Sequence, residues 1–303
     1  MTPEEALERV AAKQFVQSLE TALNDIASLV GAAVLDRIER REPSHRLSRL
    51  CADIRKCRDA VQLPPAESLA LSITSITELA LHMDLLRGAK SALPHWNQIA
   101  AGCVDPDFYD HLILTLATKR VFTKNWGWDV EMVPEAGTPT PDLMILKRGS
   151  PIAAVEVKSK ALLKDPTSLL YDEAKRIIKG AIDGTGNATT GQLARSLPSV
   201  LVIAGFFVDP LLTKLMQKAA AEYFKRNMGR RRSLVGIMFT SVLVYSNDKD
   251  DRVGSMTPSL DVRLAFNPSY RGDFSLVEGT RGKEVDVGAF RRWDPDVIME
   301  RKV

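Results

Sequence analysis

The sequence predicts an α/β protein that begins with an all-helical region, and three observations lead to this prediction. Apolar residues between about 3 and 101 recur at helical intervals with no strand-like segment. From about residue 104, helical stretches alternate with short apolar runs. Two of these runs flank the turn Lys147–Pro151, as in a β-hairpin. We therefore place a helical region at residues 1–103 and an α/β domain at residues 104–303.

The N-terminal region is predicted to contain several helices. Apolar residues from Phe15 to Ile38 keep one helical spacing, which Pro43 interrupts, and two further helices are predicted at Leu50–Val61 and Leu69–Leu86. The apolar side of the first helix fits either a dimer contact or one face of a helical bundle. We expect this region to pair in a homodimer or to bind a partner protein.

The α/β part is predicted to open with a helix and three strands. A second helix, a very apolar strand, a basic helix and two more strands then follow. In chain order these segments are Pro106–Lys124, Trp128–Val133, Leu143–Leu146, Ile152–Val157, Ser168–Ile182, Val200–Val208, a helix from about Leu211 to Arg226, Leu234–Tyr245 and Leu260–Phe266.

Composition excludes several classes of protein. The 303 residues are 45% hydrophobic and 26% charged, which is usual for a globular protein, and no stretch approaches the roughly 20 apolar residues of a membrane span. The first residues lack the features of a signal peptide, so we expect a cytoplasmic protein with no membrane partner. Three cysteines and four scattered histidines give neither a disulfide framework nor a histidine metal site.

The two predicted hairpin strands carry a small group of charged residues. Asp142 follows Pro141 at the start of the first strand, and the second strand ends in Glu156, Val157 and Lys158. Strand alternation places Glu156 and Lys158 on one side, which we expect to be exposed, and Val157 on the other, which we expect to be buried. An antiparallel hairpin would bring Asp142 close to Glu156. Two carboxylates gathered in this way suit Mg²⁺ or Mn²⁺, whereas a solvated surface ion pair is the alternative.

This arrangement resembles the PD-(D/E)xK nuclease superfamily, in the residues Pro141, Asp142, Glu156 and Lys158 and in the succession of elements around them. The resemblance implies a restriction-endonuclease-like mixed-sheet core. It also implies that Asp142, Glu156 and the carbonyl of Val157 bind Mg²⁺ or Mn²⁺ and that Lys158 orients or deprotonates the attacking water. The glutamine–tyrosine pair that marks one large branch of the superfamily is missing, so no subfamily is identified.

The resemblance also suggests residues outside the hairpin. Members of the superfamily often place a further metal-binding acid on the helix before the first strand, where Asp110 is the best candidate and Asp107, Glu131 and Glu135 compete with it. They often contact phosphate from the helix after the motif, where Lys175 and Lys179 share a face. A solvated helix face explains these two lysines equally well.

Basic residues also cluster on the third predicted helix of the α/β part and just beyond it. We expect Lys218, Lys225 and Arg231 to contact the phosphates of a nucleic acid, since the two lysines lie opposite an apolar stripe and Arg231 directly follows the helix. Cations near a helix C-terminus also complement the helix dipole, which is the alternative. The glycine-rich stretch 184–191 lacks the context of a phosphate-binding loop and is predicted to be a mobile loop.

Together these features favour a magnesium-dependent endodeoxyribonuclease that hydrolyses phosphodiester bonds in DNA, in restriction or antiviral defence. Two rivals remain open. A nuclease fold without catalysis could serve as a nucleic-acid-binding or assembly module, and a helical interaction protein could carry an unrelated α/β domain.

Overall fold

The computed structural model describes most of the chain with several gaps. The described residues are 17, 19–40, 44–59, 66–133, 140–159, 171–183, 197–206, 208, 210–227, 232–246, 256–276 and 285–290. The predicted loop at 184–191 and Arg231 of the basic cluster lie outside these residues. None of the described helices combines the length and the apolar character needed to cross a membrane.

The chain forms two compact units. Unit 1 comprises Met1–Ile113 and Val244–Pro258, and unit 2 comprises Leu114–Leu243 and Ser259–Val303. The division passes through the helix Pro106–Arg120, whereas the boundary predicted from sequence lies just before that helix.

Among the described residues of unit 1, two helices occur where the sequence predicted one. Helix α1 covers residues 19–30 and helix α2 covers Ala32–Glu39. Gly31 separates them with φ 93°, a left-handed conformation that glycine adopts at little cost. The prediction of one continuous helix up to Ile38 is therefore wrong, because apolar spacing continues across a residue whose backbone leaves the helix.

Four further helices follow in the described part of unit 1. They are α3 (Arg46–Asp59), α4 (Ala66–Ala92), α5 (Trp96–Gly102) and the start of α6 (Pro106–Arg120). Of these, α5 was not predicted from the sequence. Their buried side chains include Leu47, Ile54 and Leu79, which are fully enclosed. Burial of such aliphatic side chains supplies the main driving force for a helical assembly.

Unit 2 opens with the end of α6 and a π-helical turn, Val121–Asn125. Three antiparallel strands follow: β1 (Asp129–Met132), β2 (Leu143–Lys147) and β3 (Ser150–Lys158). The β2–β3 turn consists of Arg148 and Gly149, both with positive φ (54° and 77°). Such a two-residue turn matches the twist of an antiparallel pair. It confirms the predicted hairpin.

Two helices and four strands follow β3. In order these elements are α7 (Tyr171–Asp183), β4 (Ser199–Phe206), α8 (Pro210–Arg226), β5 (Leu234–Ser246), β6 (Met256–Phe266) and β7 (Val285–Phe290). The end of β5 and the start of β6 belong to unit 1. The seven strands form one sheet in chain order. The pairs β3–β4 and β4–β5 are parallel, so the sheet is mixed. The α/β class and the preceding helical region are confirmed, and β7 was not predicted.

Helices α7 and α8 cover one face of the sheet, and the core of unit 2 lies between the helices and that face. Ala174 and Ile178 from α7 and Met216 and Ala220 from α8 pack with alternate residues of β4 and β5, including Leu201. Every residue of β4 is buried, as expected for its place in the middle of the sheet. A strand that is buried on both faces appears in the sequence as a continuous apolar run, and Val200–Phe206 is such a run.

Gly236 in β5 marks a close backbone approach. A Cβ atom there would lie 2.6 Å from the carbonyl oxygen of Ala265 and 3.2 Å from the Cα of Phe266. We expect Gly236→Ala to lower the free energy of unfolding by about 2 kcal/mol, measured by urea denaturation.

Gly180 provides the matched control. It lies inside α7 with nothing within 4 Å of an added Cβ, so Gly180→Ala should raise stability by about 0.5–1 kcal/mol. Equal effects of the two substitutions would contradict the close approach at Gly236.

Candidate functional site

Asp142 is held between the two strands that flank it. It directly precedes β2, and its backbone carbonyl accepts a hydrogen bond of 3.0 Å from the amide of Val133, just after β1. On the other side, its carboxylate Oδ2 accepts a 2.6 Å hydrogen bond from the backbone amide of Val157 in β3. The β2–β3 register pairs Leu143 with Val155, so its continuation places Asp142 opposite Glu156. The sheet itself therefore fixes this carboxylate.

Glu156 and Lys158 form an ion pair near the end of β3. The Nζ of Lys158 donates to Oε1 of Glu156 at 2.5 Å. The Glu156 side chain is only 3% exposed, whereas that of Lys158 is 36% exposed. A buried carboxylate costs several kcal/mol unless a cation or donors accompany it. Lys158 supplies that cation and still reaches solvent.

The expectation that Glu156 faces solvent is wrong. Parallel pairing aligns Glu156 with Leu201 of β4, and Leu201 belongs to the core under α7 and α8. Val157 is 2% exposed, so β3 is buried on both faces near its end. Strand alternation separates the two faces but does not reveal whether a helix covers each of them.

The donor set at this site fits a hard divalent cation. Asp142 and Glu156 offer two carboxylates, and the carbonyl of Val157 lies between Glu156 and Lys158 in the chain. Mg²⁺ is commonly held by one or two carboxylates and completes its shell with waters and substrate oxygens. Within the described ranges, no group of three or more His, Cys, Asp and Glu residues gathers to hold a metal, so protein carboxylates alone would leave the shell open.

Asp110, the predicted additional metal-binding acid, lies in a polar network of unit 1. Its Oδ1 accepts a 3.2 Å hydrogen bond from Nε of Arg46, whose Nη1 donates to Glu78 at 2.9 Å. Burial raises the pKa of both Asp110 and Glu78, while the charge of Arg46 opposes the rise. The guanidinium of Arg46 thus forms ion pairs with two largely buried acids. The role of Asp110 in metal binding stays a prediction.

The same network includes a fully buried histidine. Nδ1 of His82 lies 2.9 Å from the hydroxyl of Tyr109, and its Nε2 lies 3.7 Å from Glu78. Burial, with a smaller effect of the Arg46 charge, holds the pKa of His82 well below its usual range. The imidazole is therefore neutral in the folded protein. The network connects α3, α4 and α6.

The predicted nucleic-acid-binding lysines lie on two helices that share one core. Lys175 and Lys179 are on α7, and Lys218 and Lys225 are exposed on α8. Lys175 pairs with Asp172 at 3.1 Å and lies 4.4 Å from the ring centre of Tyr171. Arg231, the remaining member of the predicted set, lies outside the described residues.

Sequence reasoning missed the surroundings of Tyr171. Its hydroxyl donates to the carboxylate of Glu222 on α8, which also pairs with Arg226. The hydrogen bond to Glu222 raises the pKa of Tyr171, and the same bond lowers that of Glu222. Glu222 is one acid in a basic helix, and nothing in the sequence indicates its partner 51 positions earlier.

No protein-family model matches this chain, and no curated protein or solved structure is significantly similar to it.

The Glu156–Lys158 pair leads to a stability prediction. Lys158→Met removes the ammonium from a buried carboxylate and should cost about 2 kcal/mol, a value reduced because Lys158 is partly exposed. Glu156→Gln combined with Lys158→Met should recover much of this loss, because no charge is then buried. Urea denaturation of the parent, both single variants and the double variant measures the coupling.

The control for this cycle is Lys147→Met, at the exposed end of β2, which should change stability by less than about 0.5 kcal/mol. Additive effects of the two site substitutions would show that the ion pair does not stabilise the strand.

His82 leads to a pH prediction. Near pH 6 only the unfolded chain binds a proton at His82. The free energy of unfolding therefore does not depend on His82 protonation above about pH 6.5, and it decreases as the pH falls below that value. Glu78 and Asp110 act in the opposite direction, since their raised pKa values cost stability as the pH rises above about 4.5. His82→Asn should therefore remove a slope of up to about 1.4 kcal/mol per pH unit between pH 6.5 and 5.

Urea denaturation of the parent, His82→Asn and the exposed His95→Asn at each pH tests this expectation. The slope should change only in the His82 variant. Identical pH slopes for all three proteins would mean that His82 takes up a proton in the folded state.

Proposed function

We propose that this protein is a metal-dependent nuclease of the restriction-endonuclease-like fold, which hydrolyses phosphodiester bonds in DNA. The observation that supports it most is the meeting of two carboxylates and a lysine at one end of the β2–β3 hairpin. Asp142 contacts the amide of Val157, and Lys158 contacts Glu156, so the three side chains belong to one small site. Their types and order are those of the PD-(D/E)xK superfamily.

The fold around the site agrees with this proposal. A helix, three antiparallel strands, a helix and a central strand parallel to β3 follow one another in the chain. That succession is the one implied by the superfamily resemblance. The agreement covers about a hundred residues, and the motif sits on the strands where the resemblance places it.

In this mechanism Asp142, Glu156 and the carbonyl of Val157 would hold Mg²⁺ or Mn²⁺. A bound ion supplies Lewis-acid chemistry and lowers the pKa of water. The amide of Val157 fixes the Asp142 carboxylate, which reduces the reorganisation needed during reaction. The ammonium of Lys158 is partly exposed, so it is able to orient the attacking water and to neutralise charge on the scissile phosphate.

The site and the basic helices lie on the same side of the sheet, which favours nucleic acid as the substrate. Glu156 is aligned with Leu201, whose face of the sheet is covered by α7 and α8. Those helices carry Lys175, Lys179, Lys218 and Lys225, which we assign to phosphate contacts. Restriction or antiviral defence in the cytoplasm is the setting we propose, with the helical region as a dimerisation or partner-binding element.

Cleavage of plasmid and labelled oligonucleotides, with Mg²⁺ or with EDTA, tests the proposal. Asp142→Asn, Glu156→Gln and Lys158→Ala should each lower the rate by about 100-fold or more. Glu156 is replaced by glutamine because a smaller residue would leave a cavity under the helices. Lys147→Ala, at the opposite end of β2, should retain the parent rate.

The parent and variants must be purified identically, so that a contaminating nuclease appears equally in all of them. Metal-dependent cleavage by Glu156→Gln at the parent rate would refute the mechanism. DNA binding by the parent without cleavage in any metal would favour the alternative, a nuclease fold that acts as a binding or assembly module.

A further inference from the structure

Helices α7 and α8 border an open cavity of about 680 Å³ that the sequence does not reveal. Tyr171 forms one wall, and α8 supplies the rest. The cationic residues of its lining are Lys214, Lys218 and Lys225, and Glu222 is the acid. The volume lies within the range of small-molecule sites, but the lining is more basic than that of an ordinary apolar pocket.

The single acid in the lining orients the tyrosine. Glu222 accepts a hydrogen bond from the Tyr171 hydroxyl and pairs with Arg226, and both partners satisfy its charge. Within the described part of the chain, Lys214, Lys218 and Lys225 form no ion pair. The cavity therefore has an excess of positive charge and a ring that is fixed at its hydroxyl end.

The cations are spread along the cavity. Lys214 and Lys225 are eleven positions apart on α8, which corresponds to about 16 Å at 1.5 Å per residue. That length exceeds a single phosphate and suits several consecutive ones. The ring of Tyr171 is half-buried beside them, with the ammonium of Lys175 4.4 Å and that of Lys218 5.5 Å from its centre.

We propose that this cavity binds single-stranded nucleic acid, with a base against Tyr171 and the backbone phosphates on Lys214, Lys218 and Lys225. A line of cations next to an aromatic ring is the usual means of holding a single strand. A duplex keeps its bases stacked on one another, so its bases are not available to a ring inside a cavity. The inference rests on the proposed function in taking nucleic acid as the ligand, and it adds the form of the strand and the part of α7–α8 that receives it.

Fluorescence anisotropy with labelled 20-nucleotide single strands of DNA and RNA, and with the matching DNA duplex, tests the proposal. The titrations contain EDTA, so binding is measured whether or not the protein cleaves. Tyr171→Leu should weaken single-strand binding about tenfold and duplex binding little, since stacking one base contributes on the order of 1–3 kcal/mol. Tyr171→Phe keeps the ring and should stay within about threefold of the parent.

A triple substitution tests the phosphate contacts. Lys214→Gln, Lys218→Gln and Lys225→Gln together should flatten the dependence of log affinity on log salt by about 2, at about 0.7 per contact on single strands. The control is Lys56→Gln, Lys90→Gln and Lys147→Gln, which changes the net charge equally at exposed positions elsewhere. Its salt slope should match that of the parent.

The proposal requires that the parent bind single strands, whether DNA or RNA, more tightly than the duplex. Comparing the affinities for the two single strands then identifies the natural ligand. Equal single-strand affinity of the parent and Tyr171→Leu, with circular dichroism showing both folded, would overturn the assignment of the ring. Parallel salt plots for the parent and the α8 triple variant would overturn the phosphate contacts. A protein that binds single strands through this cavity but never cleaves would refute only the nuclease proposal.

Discussion

The parallel pairing of β3 with β4 is the constraint on which the candidate site depends. It aligns Glu156 with Leu201 and so places a carboxylate on the face that α7 and α8 bury. Had β3 been an edge strand, Glu156 and Lys158 would have been ordinary exposed charges of little energetic consequence. Inside the sheet, the buried carboxylate of Glu156 is stabilised by the ammonium of Lys158. The two side chains are therefore held in one geometry.

The same contacts that stabilise the strand also fix the side chains of the candidate site. Asp142 accepts its hydrogen bond from a backbone amide, and Glu156 from a neighbouring side chain, so neither acid depends on long loops for its position. Groups mounted on strands lose little freedom when a substrate binds. This explains how a site of only three side chains reaches a defined arrangement. It also means that loss of stability and loss of activity need separate measurements for any substitution here.

The two units use buried polar groups differently. In unit 1, Arg46 shares its guanidinium between Glu78 and Asp110, and His82 meets Tyr109, so three helices are connected by a network within their core. In unit 2, Glu222 fixes Tyr171 at the rim of a cavity whose lysines stay exposed. In the network of unit 1, the opposite charges pair with one another and help to fix how the helices pack. The arrangement in unit 2 leaves positive charge available to a ligand.

The sequence alone predicted the α/β class, the order of most elements and the β2–β3 hairpin, because helical and strand periodicities and the turn Arg148–Gly149 are local properties. It could not determine that Gly31 divides the first helix, since apolar spacing says nothing about one residue's φ angle. Nor could it determine the burial of Glu156, the Arg46 network or the pairing of Tyr171 with Glu222. Each of these joins residues distant in the chain or depends on which face of the sheet the helices cover, and only the tertiary structure decides that.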